Sequence, residues 1–205
     1  MLRKEKKKGA HYVDDHAEND RAGSGLLRAL PHVDRPVREA GRLGVFTKHD
    51  KAHLINGILV AKVTKKPPHV VVTELCRDAL KPVLPSGWCI RTEGPVRLPP
   101  NSEPEPDVCV ARGATRDYAK RHPDPADVGL LIEIAFRSLA DDRKMALIYG
   151  AGGIAVYWIV NVPGRQIEVY TGRFGRPRIY KAGKTIPVVL GGVEVGRIAV
   201  VDVLP

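Results

Sequence analysis

The sequence predicts an α/β protein in which a mixed β-sheet is flanked by helices. Short apolar runs typical of strands recur along the 205-residue chain, and two segments with helical spacing of apolar residues interrupt them. The resulting order is strands, helix, strands, helix, strands, which is the order expected when one or two helices pack on a sheet. With 43% hydrophobic residues, a chain of this length can form one domain with a moderate core.

The first 45 residues differ in composition from the rest of the chain. They begin with a run of charges from Arg3 to Lys8 and continue as polar sequence with little periodicity. Such composition is typical of a poorly ordered extension. We therefore predict a basic and polar extension over residues 1–45 and a folded domain over residues 46–205.

The predicted domain begins with a hairpin and a helix. Two apolar runs in Leu54–Val60 flank Asn56-Gly57, a dipeptide typical of a tight β-turn. Pro67-Pro68 then precedes a predicted helix from His69 to Leu80, which Pro82 ends. Apolar residues recur along this helix at helical spacing, namely Val72, Leu75, Cys76 and Ala79.

The following segments predict short strands around two loops. Residues 88–90 and 96–98 are predicted as strands, and residues 99–106 as a loop rich in proline and glutamate. Asp107 opens the next strand, and the polar segment that follows has a helical region over residues 117–121.

The second half of the domain contains the most apolar strand and the second helix. Residues 128–135 form a continuous apolar run that predicts a strand covered on both faces. Ser138 is predicted to cap a helix over residues 139–149, which ends at glycines. Residues 156–160 and 166–170 predict an antiparallel pair, and short glycine-broken strands follow from residue 174 onward.

Two carboxylates in these predicted strands point to a metal site. Asp107 starts one strand, and Glu133 lies inside an otherwise apolar one. A carboxylate is costly to bury unless something compensates its charge, and two that meet through strand pairing could share a cation. Mg²⁺ binds through one or two carboxylates, so we expect Asp107 and Glu133 as ligands, with the backbone carbonyl of Ile134 as a third oxygen.

Such a site would suit hydrolysis of a phosphodiester. A metal polarises the phosphoryl oxygen and lowers the pKa of a bound water, and a nearby cation offsets the charge that develops on phosphorus. Lys144 is the candidate for this cation, with Arg143 as its substitute. Alternatively, Asp107 only starts its strand or caps a turn, and Glu133 forms an ion pair with Arg137 or Arg143.

Charge and cysteine content bear on the partner and the compartment. A net charge of +10 favours polyanions, so we expect DNA as partner, although a solvated basic surface also explains the charge. No apolar run approaches the roughly 18 residues needed to span a membrane. The chain start is charged and resembles no secretory signal, and Cys76, Cys89 and Cys109 have no metal-ligand spacing. We therefore expect buried thiols and a cytoplasmic protein.

Several segments, in their order and spacing, resemble the Uma2 family of restriction-endonuclease-like proteins. They are Ile55-Asn56-Gly57, Pro67-Pro68-His69, Glu105-Pro106-Asp107, Ile132-Glu133-Ile134-Ala135, Asp142-Arg143, Tyr149, Tyr157-Trp158-Ile159-Val160-Asn161 and Val195-Gly196-Arg197-Ile198-Ala199-Val200. The resemblance covers about residues 47–205. It implies the restriction-endonuclease-like fold of the PD-(D/E)xK superfamily, a divalent metal (Mg²⁺ or Mn²⁺) and cleavage of DNA.

The chain departs from the pattern of these relatives at two positions. His53 stands where the family often has a glutamate, and Ala135 stands where the superfamily has its lysine. Relatives that lack this lysine have one in the following helix, after an aspartate, and Lys144 after Asp142 is the nearest match here. Two hypotheses follow: a metal-dependent endonuclease, or a catalytically inactive module that binds nucleic acid or a protein partner.

Four residues are possible accessory members of the site. His69 either packs at its helix start or contacts phosphate or metal, and His53 is either an edge-strand surface residue or a ligand. Glu74 could replace the missing glutamate, and Asp142 precedes the candidate cations in the second helix. Exposed strand edges also allow a homodimer, whose two-fold symmetry would suit cleavage of both strands of a duplex.

Overall fold

The computed structural model describes residues 52–62, 64–172 and 175–205, so the predicted extension over residues 1–45 lies outside the described residues. The strands are β1 (Ala52–Ile55), β2 (Ile58–Ala61), β3 (Trp88–Thr92), β4 (Val108–Arg112), β5 (Val128–Ala135), β6 (Val156–Asn161), β7 (Gln166–Thr171), β8 (Arg178–Lys181), β9 (Thr185–Leu190) and β10 (Val193–Ala199). The helices are α1 (Pro67–Leu80) and α2 (Leu139–Ala151), with single 3₁₀ turns at Thr115–Tyr118 and Val200–Val203. No helix in the described ranges is long and apolar enough to cross a membrane.

Strands β3 to β8 form a six-stranded mixed sheet in the order of the chain. Strands β5 and β6 are parallel, and every other neighbouring pair in this sheet is antiparallel. Helix α2 makes the crossover between the two parallel strands, because parallel neighbours need a long connection. The predicted α/β architecture, a mixed sheet flanked by helices, is confirmed.

Each face of the sheet is covered by a separate apolar core. Val72, Cys76 and Leu80 of α1 pack on one face together with the β9–β10 hairpin and the last 3₁₀ turn. Ala146 and Tyr149 of α2 pack on the other face. Alternate residues of β5 therefore serve different cores, which explains why its sequence is a continuous apolar run. The buried strand predicted over residues 128–135 is confirmed with the same bounds.

The predicted hairpin at the start of the domain is also confirmed. Strands β1 and β2 pair antiparallel across Asn56 and Gly57, whose φ angles are 48° and 78°. Positive φ at both central residues is the geometry of a type I′ turn, which asparagine and glycine tolerate best. The hairpin is joined to the loop before β4, since the Glu103 N–H donates to the Leu54 carbonyl at 2.7 Å.

Three local predictions are wrong. Residues 96–98 are not a strand; the backbone N–H of Arg97 instead donates to the Pro123 carbonyl at 2.8 Å. The helical region around residues 117–121 is only the 3₁₀ turn Thr115–Tyr118. Ser138 stands at the N-cap position of α2, but the predicted side-chain cap is missing, because its hydroxyl donates to Asp142 Oδ2 at 2.7 Å.

Candidate functional site

The strand register brings Asp107 and Glu133 together. Strands β4 and β5 pair Val108 with Ile132, so Asp107, one residue before β4, falls opposite Glu133. The Asp107 N–H donates to Glu133 Oε2 at 3.2 Å, and the Ile134 N–H donates to Asp107 Oδ2 at 2.8 Å. The two predicted metal ligands are therefore direct neighbours at one end of the central strands.

Asp107 is a buried carboxylate held by two further donors. Lys65 Nζ lies 2.5 Å from its Oδ1, and His69 Nε2 lies 3.1 Å from its Oδ2. Burial acts to raise the pKa of Asp107, but the hydrogen bond from His69 and the charge of Lys65 hold this pKa below its usual value. The contact places His69, predicted as an accessory residue, directly at the acid pair.

Glu133 has a different environment, although it lies beside Asp107. The Tyr149 hydroxyl of α2 donates to Glu133 Oε1 at 2.8 Å. Burial, together with the negative charges of Asp107 and Asp142, raises the pKa of Glu133 well above its usual value. Among the described residues Glu133 has no ion pair with an arginine, so the alternative that paired it with Arg137 or Arg143 is wrong.

A third carboxylate, Asp142 in the first turn of α2, belongs to the same group of charges. Burial raises its pKa to about 7, and the negative charges of Asp107 and Asp141 add to the effect. We call Asp107, Glu133 and Asp142 the acidic cluster. Each of the three carboxylates lies close enough to the others to oppose their ionisation, so the cluster holds all three negative charges only at a cost in free energy.

The two predicted cations of α2 do not contact the acidic cluster. Lys144 Nζ lies 2.7 Å from Asp141 Oδ1, and the Lys144 side chain is 69% exposed. Arg143 instead binds Glu168 of β7, with Nε and Nη2 at 2.9 and 2.5 Å from its two oxygens. Successive residues on a helix point about 100° apart, which separates these side chains from Asp142.

Two other predicted accessory residues also lie apart from the acidic cluster. Glu74 pairs with Arg77 at 2.6 Å on an exposed part of α1. His53 of β1 lines a cavity of about 580 Å³ whose walls also include Glu105 and His122 but no member of the acidic cluster. Burial lowers the pKa of His53, which favours its neutral form.

The donor chemistry of the acidic cluster suits a hard divalent cation. Carboxylate oxygens are the ligands that Mg²⁺ and Mn²⁺ prefer, and a cation would offset the burial and the repulsion that together raise the pKa of Glu133 and of Asp142. In the described ranges, however, no three His, Cys, Asp or Glu side chains are arranged to hold a metal ion. Asp107 already accepts from Lys65 at Oδ1 and from His69 and the Ile134 N–H at Oδ2, so about one acceptor site of this carboxylate, at Oδ1, is left for a metal.

Sequence reasoning missed Lys65. It lies between β2 and α1, outside any periodic element, so no spacing of apolar residues indicates where its side chain points. Its one sequence signal is the basic pair Lys65-Lys66, directly before the prolines that start α1. The role of Tyr149 was missed as well, since a tyrosine on an apolar helix face is typical of a core residue.

The family model named Uma2 and described as "Putative restriction endonuclease" matches residues 40–196. The chain belongs to the Uma2 family. The resemblance noted from the sequence is thereby confirmed.

Solved structures support the same fold for this Uma2 domain. It is similar to a crystal structure from Anabaena variabilis ATCC 29413 described as "a putative nuclease belonging to DUF820", with a TM-score of 0.64 and 15% sequence identity. The match covers 80% of this chain and 95% of that one. At this identity the likeness shows a shared fold, here that of the nuclease relative. The comparison with curated proteins gave no match.

Proposed function

We propose that this Uma2 domain is a divalent-metal-dependent endonuclease that hydrolyses phosphodiester bonds of DNA. The observation that carries the proposal is the contact between Asp107 and Glu133 at the end of the two central strands, where Asp142 adds further negative charge. Family membership and the nuclease-like fold support it.

The residues around the acidic cluster have distinct roles in this proposal. Asp107, Glu133 and the Ile134 carbonyl would hold Mg²⁺ or Mn²⁺, which when bound polarises the phosphoryl oxygen and lowers the pKa of a water. The Tyr149 hydroxyl fixes the orientation of Glu133 through its hydrogen bond to Oε1. His69, which donates to Asp107, would contact the phosphate from the start of α1.

DNA is the partner that the charge of the chain favours. A net charge of +10 attracts a polyanion over distances beyond direct contact. A reducing compartment such as the cytoplasm suits Cys76, Cys89 and Cys109, which are all free thiols. A two-fold homodimer would present one acidic cluster to each strand of a duplex.

The test is a cleavage assay on supercoiled and single-stranded DNA in Mn²⁺, Mg²⁺ or EDTA. Glu133→Gln and Asp107→Asn keep the shape of the side chains but remove charge from the acidic cluster. We expect metal-dependent cleavage by the wild type and a loss of at least about 100-fold in either variant. Glu194→Gln is the matched control, because Glu194 pairs with Arg197 on the surface of β10. Full cleavage by both cluster variants would remove this site assignment.

A second candidate is an inactive nuclease-fold module that binds nucleic acid or a protein partner. The observation that favours it is that Lys65 and His69 already occupy Asp107. Metal titration separates the candidates, since a ligand at 100 times its Kd stabilises the folded state by about 2.7 kcal/mol. DNA binding without cleavage, and with no metal-induced rise in Tm, would favour the inactive module.

A further inference from the structure

Lys65 lies between the acidic cluster and an exposed carboxylate. Its ammonium lies 2.5 Å from Asp107 Oδ1 and 3.1 Å from Glu93 Oε1. We propose that Lys65 is the lysine that contacts a DNA phosphate at the acidic cluster. This inference rests on the proposed function, and it assigns to the segment before α1 the role that was predicted for Lys144 or Arg143 of α2.

Three other basic side chains are paired with carboxylates outside the acidic cluster. Arg143 forms two hydrogen bonds with Glu168, Lys144 pairs with Asp141, and Lys62 pairs with Glu105. Within the described residues, Lys65 is the one lysine or arginine that forms an ion pair with a member of the acidic cluster. The charge needed to hold a phosphate beside three carboxylates is therefore found at Lys65.

The position of the ammonium suits a ligand that arrives from solvent. The Lys65 side chain is 23% exposed, whereas the carboxylate of Asp107 beneath it is buried. Its other partner, Glu93, has a side chain that is 50% exposed, so this contact can open at low cost. An ammonium has three donors, and two are used here, which leaves one for a phosphate oxygen.

A purely structural role explains these contacts less well. Asp107 also accepts bonds from the Ile134 N–H and from His69, so its burial does not depend on Lys65 alone. A lysine that only neutralised Asp107 would need no second, exposed partner. The ammonium lies instead between the buried carboxylate of Asp107 and the half-exposed carboxylate of Glu93, where a ligand from solvent can reach it.

The experiment compares Lys65→Met with Lys66→Met. Lys66 is the exposed neighbour before α1 and forms no side-chain cap, so its variant removes the same charge from almost the same place. Binding of a short DNA duplex is measured in Ca²⁺, and cleavage is measured in Mn²⁺. We expect Lys65→Met to weaken binding by about 10-fold and cleavage by at least about 100-fold, and Lys66→Met to change either by about 2-fold at most.

Two further measurements separate this role from a structural one. Lys65→Arg, which keeps the charge, should bind the duplex nearly as well as the wild type. The Mn²⁺-induced rise in Tm should persist in Lys65→Met, because the carboxylates remain. If Lys65→Met fails to fold, Lys65→Gln takes its place, since glutamine can still donate a hydrogen bond to Asp107.

Each result bears on the proposal. Cleavage by Lys65→Met at the rate of Lys66→Met would overturn it. If the wild type binds DNA but does not cleave it, the proposed function fails. The role of Lys65 is then tested by DNA binding alone, through the comparison of Lys65→Met with Lys66→Met. Equal weakening by the two methionine variants would then overturn the inference, and greater weakening by Lys65→Met would support it. A wild type that binds no DNA would overturn both proposals.

Discussion

Glu133 and Glu168 occupy one row of the central sheet, yet their charges are handled in opposite ways. The register pairs Glu133 with Ile159 and Ile159 with Glu168, so all three lie on the face that α2 covers. Glu168 is 0% exposed and accepts two bonds from the guanidinium of Arg143. Among the described residues Glu133 has no such cation, and its neighbours include two more carboxylates.

The two acids share one feature of their surroundings. Each accepts a hydrogen bond from a tyrosine, Tyr149 for Glu133 and Tyr170 for Glu168, at 2.8 and 3.1 Å. Tyr157 lies between these tyrosines, with ring centroids 5.0 and 5.7 Å away. The comparison teaches that two acids of one row can differ in their electrostatic balance: Arg143 compensates Glu168, whereas Glu133, two strands away, lies beside two further carboxylates.

The largest effect on stability is expected from removing the ion pair between Arg143 and Glu168. Arg143→Met should lower the free energy of unfolding by about 3 kcal/mol, because it leaves the charge of Glu168 buried without its cation. Urea denaturation measures this loss. The double variant Arg143→Met/Glu168→Gln should recover most of the stability, since no buried charge remains. A single variant as stable as the wild type would show that Glu168 does not need Arg143.

A smaller change in stability, of opposite sign, is expected from removing a charge of the acidic cluster. Asp142→Asn should raise the free energy of unfolding by on the order of 1 kcal/mol at pH 8 in EDTA. Burial raises the pKa of Asp142 to about 7 in the folded state, so its ionisation above that pH opposes folding. The Ser138 hydroxyl keeps an acceptor in the variant.

The pH dependence checks the sign of this prediction. When an acid has a higher pKa in the folded state than in the unfolded state, the protein becomes less stable as the pH rises between the two values. For Asp142 these are near 3.8 in the unfolded state and about 7 in the folded state. The advantage of Asp142→Asn should therefore be full above pH 7 and should vanish as the pH falls toward 4. An advantage that is the same at pH 4 and pH 8 would mean that charge is not its cause.

The smallest effect is expected at Lys144. Lys144→Met should change stability by no more than about 0.5 kcal/mol, because its ion pair with Asp141 is exposed. DNA cleavage should also stay within about 2-fold of the wild type, since Lys144 does not contact the acidic cluster. Thermal unfolding and the cleavage assay measure both. A large loss of cleavage with unchanged stability would return Lys144 to the site.

The acid pair could be predicted because strand patterns specify faces. Asp107 directly precedes one apolar run and Glu133 interrupts another, and pairing of the two runs places them side by side. The neighbours on α2 could not be assigned in the same way. Three consecutive residues of α2 point in different directions: Asp142 to the acidic cluster, Arg143 to Glu168 and Lys144 to solvent. An error of one residue in the predicted register of the helix would assign each side chain to the wrong direction.

Loops were the other limit of prediction. Residues 96–98 have a strand-like composition, but their backbone is held by long-range bonds such as that of Arg97 to Pro123, which no local pattern reveals. Lys65 lies in a loop as well, and its contact with Asp107 joins residues 42 positions apart. Prediction therefore succeeded where the periodicity of a helix or strand determines the geometry. It failed where contacts between residues distant in sequence determine the geometry.

The bond from the Ile134 amide to Asp107 Oδ2 makes a central-strand backbone group a spectroscopic reporter of the candidate site. A cation that binds this carboxylate would weaken or redirect the hydrogen bond and so change the chemical shift of the Ile134 amide in an NMR spectrum. Amides in the outer strand β8 would stay unchanged. One cross-peak could thus distinguish metal at Asp107 from metal bound elsewhere, in a protein that need not cleave anything.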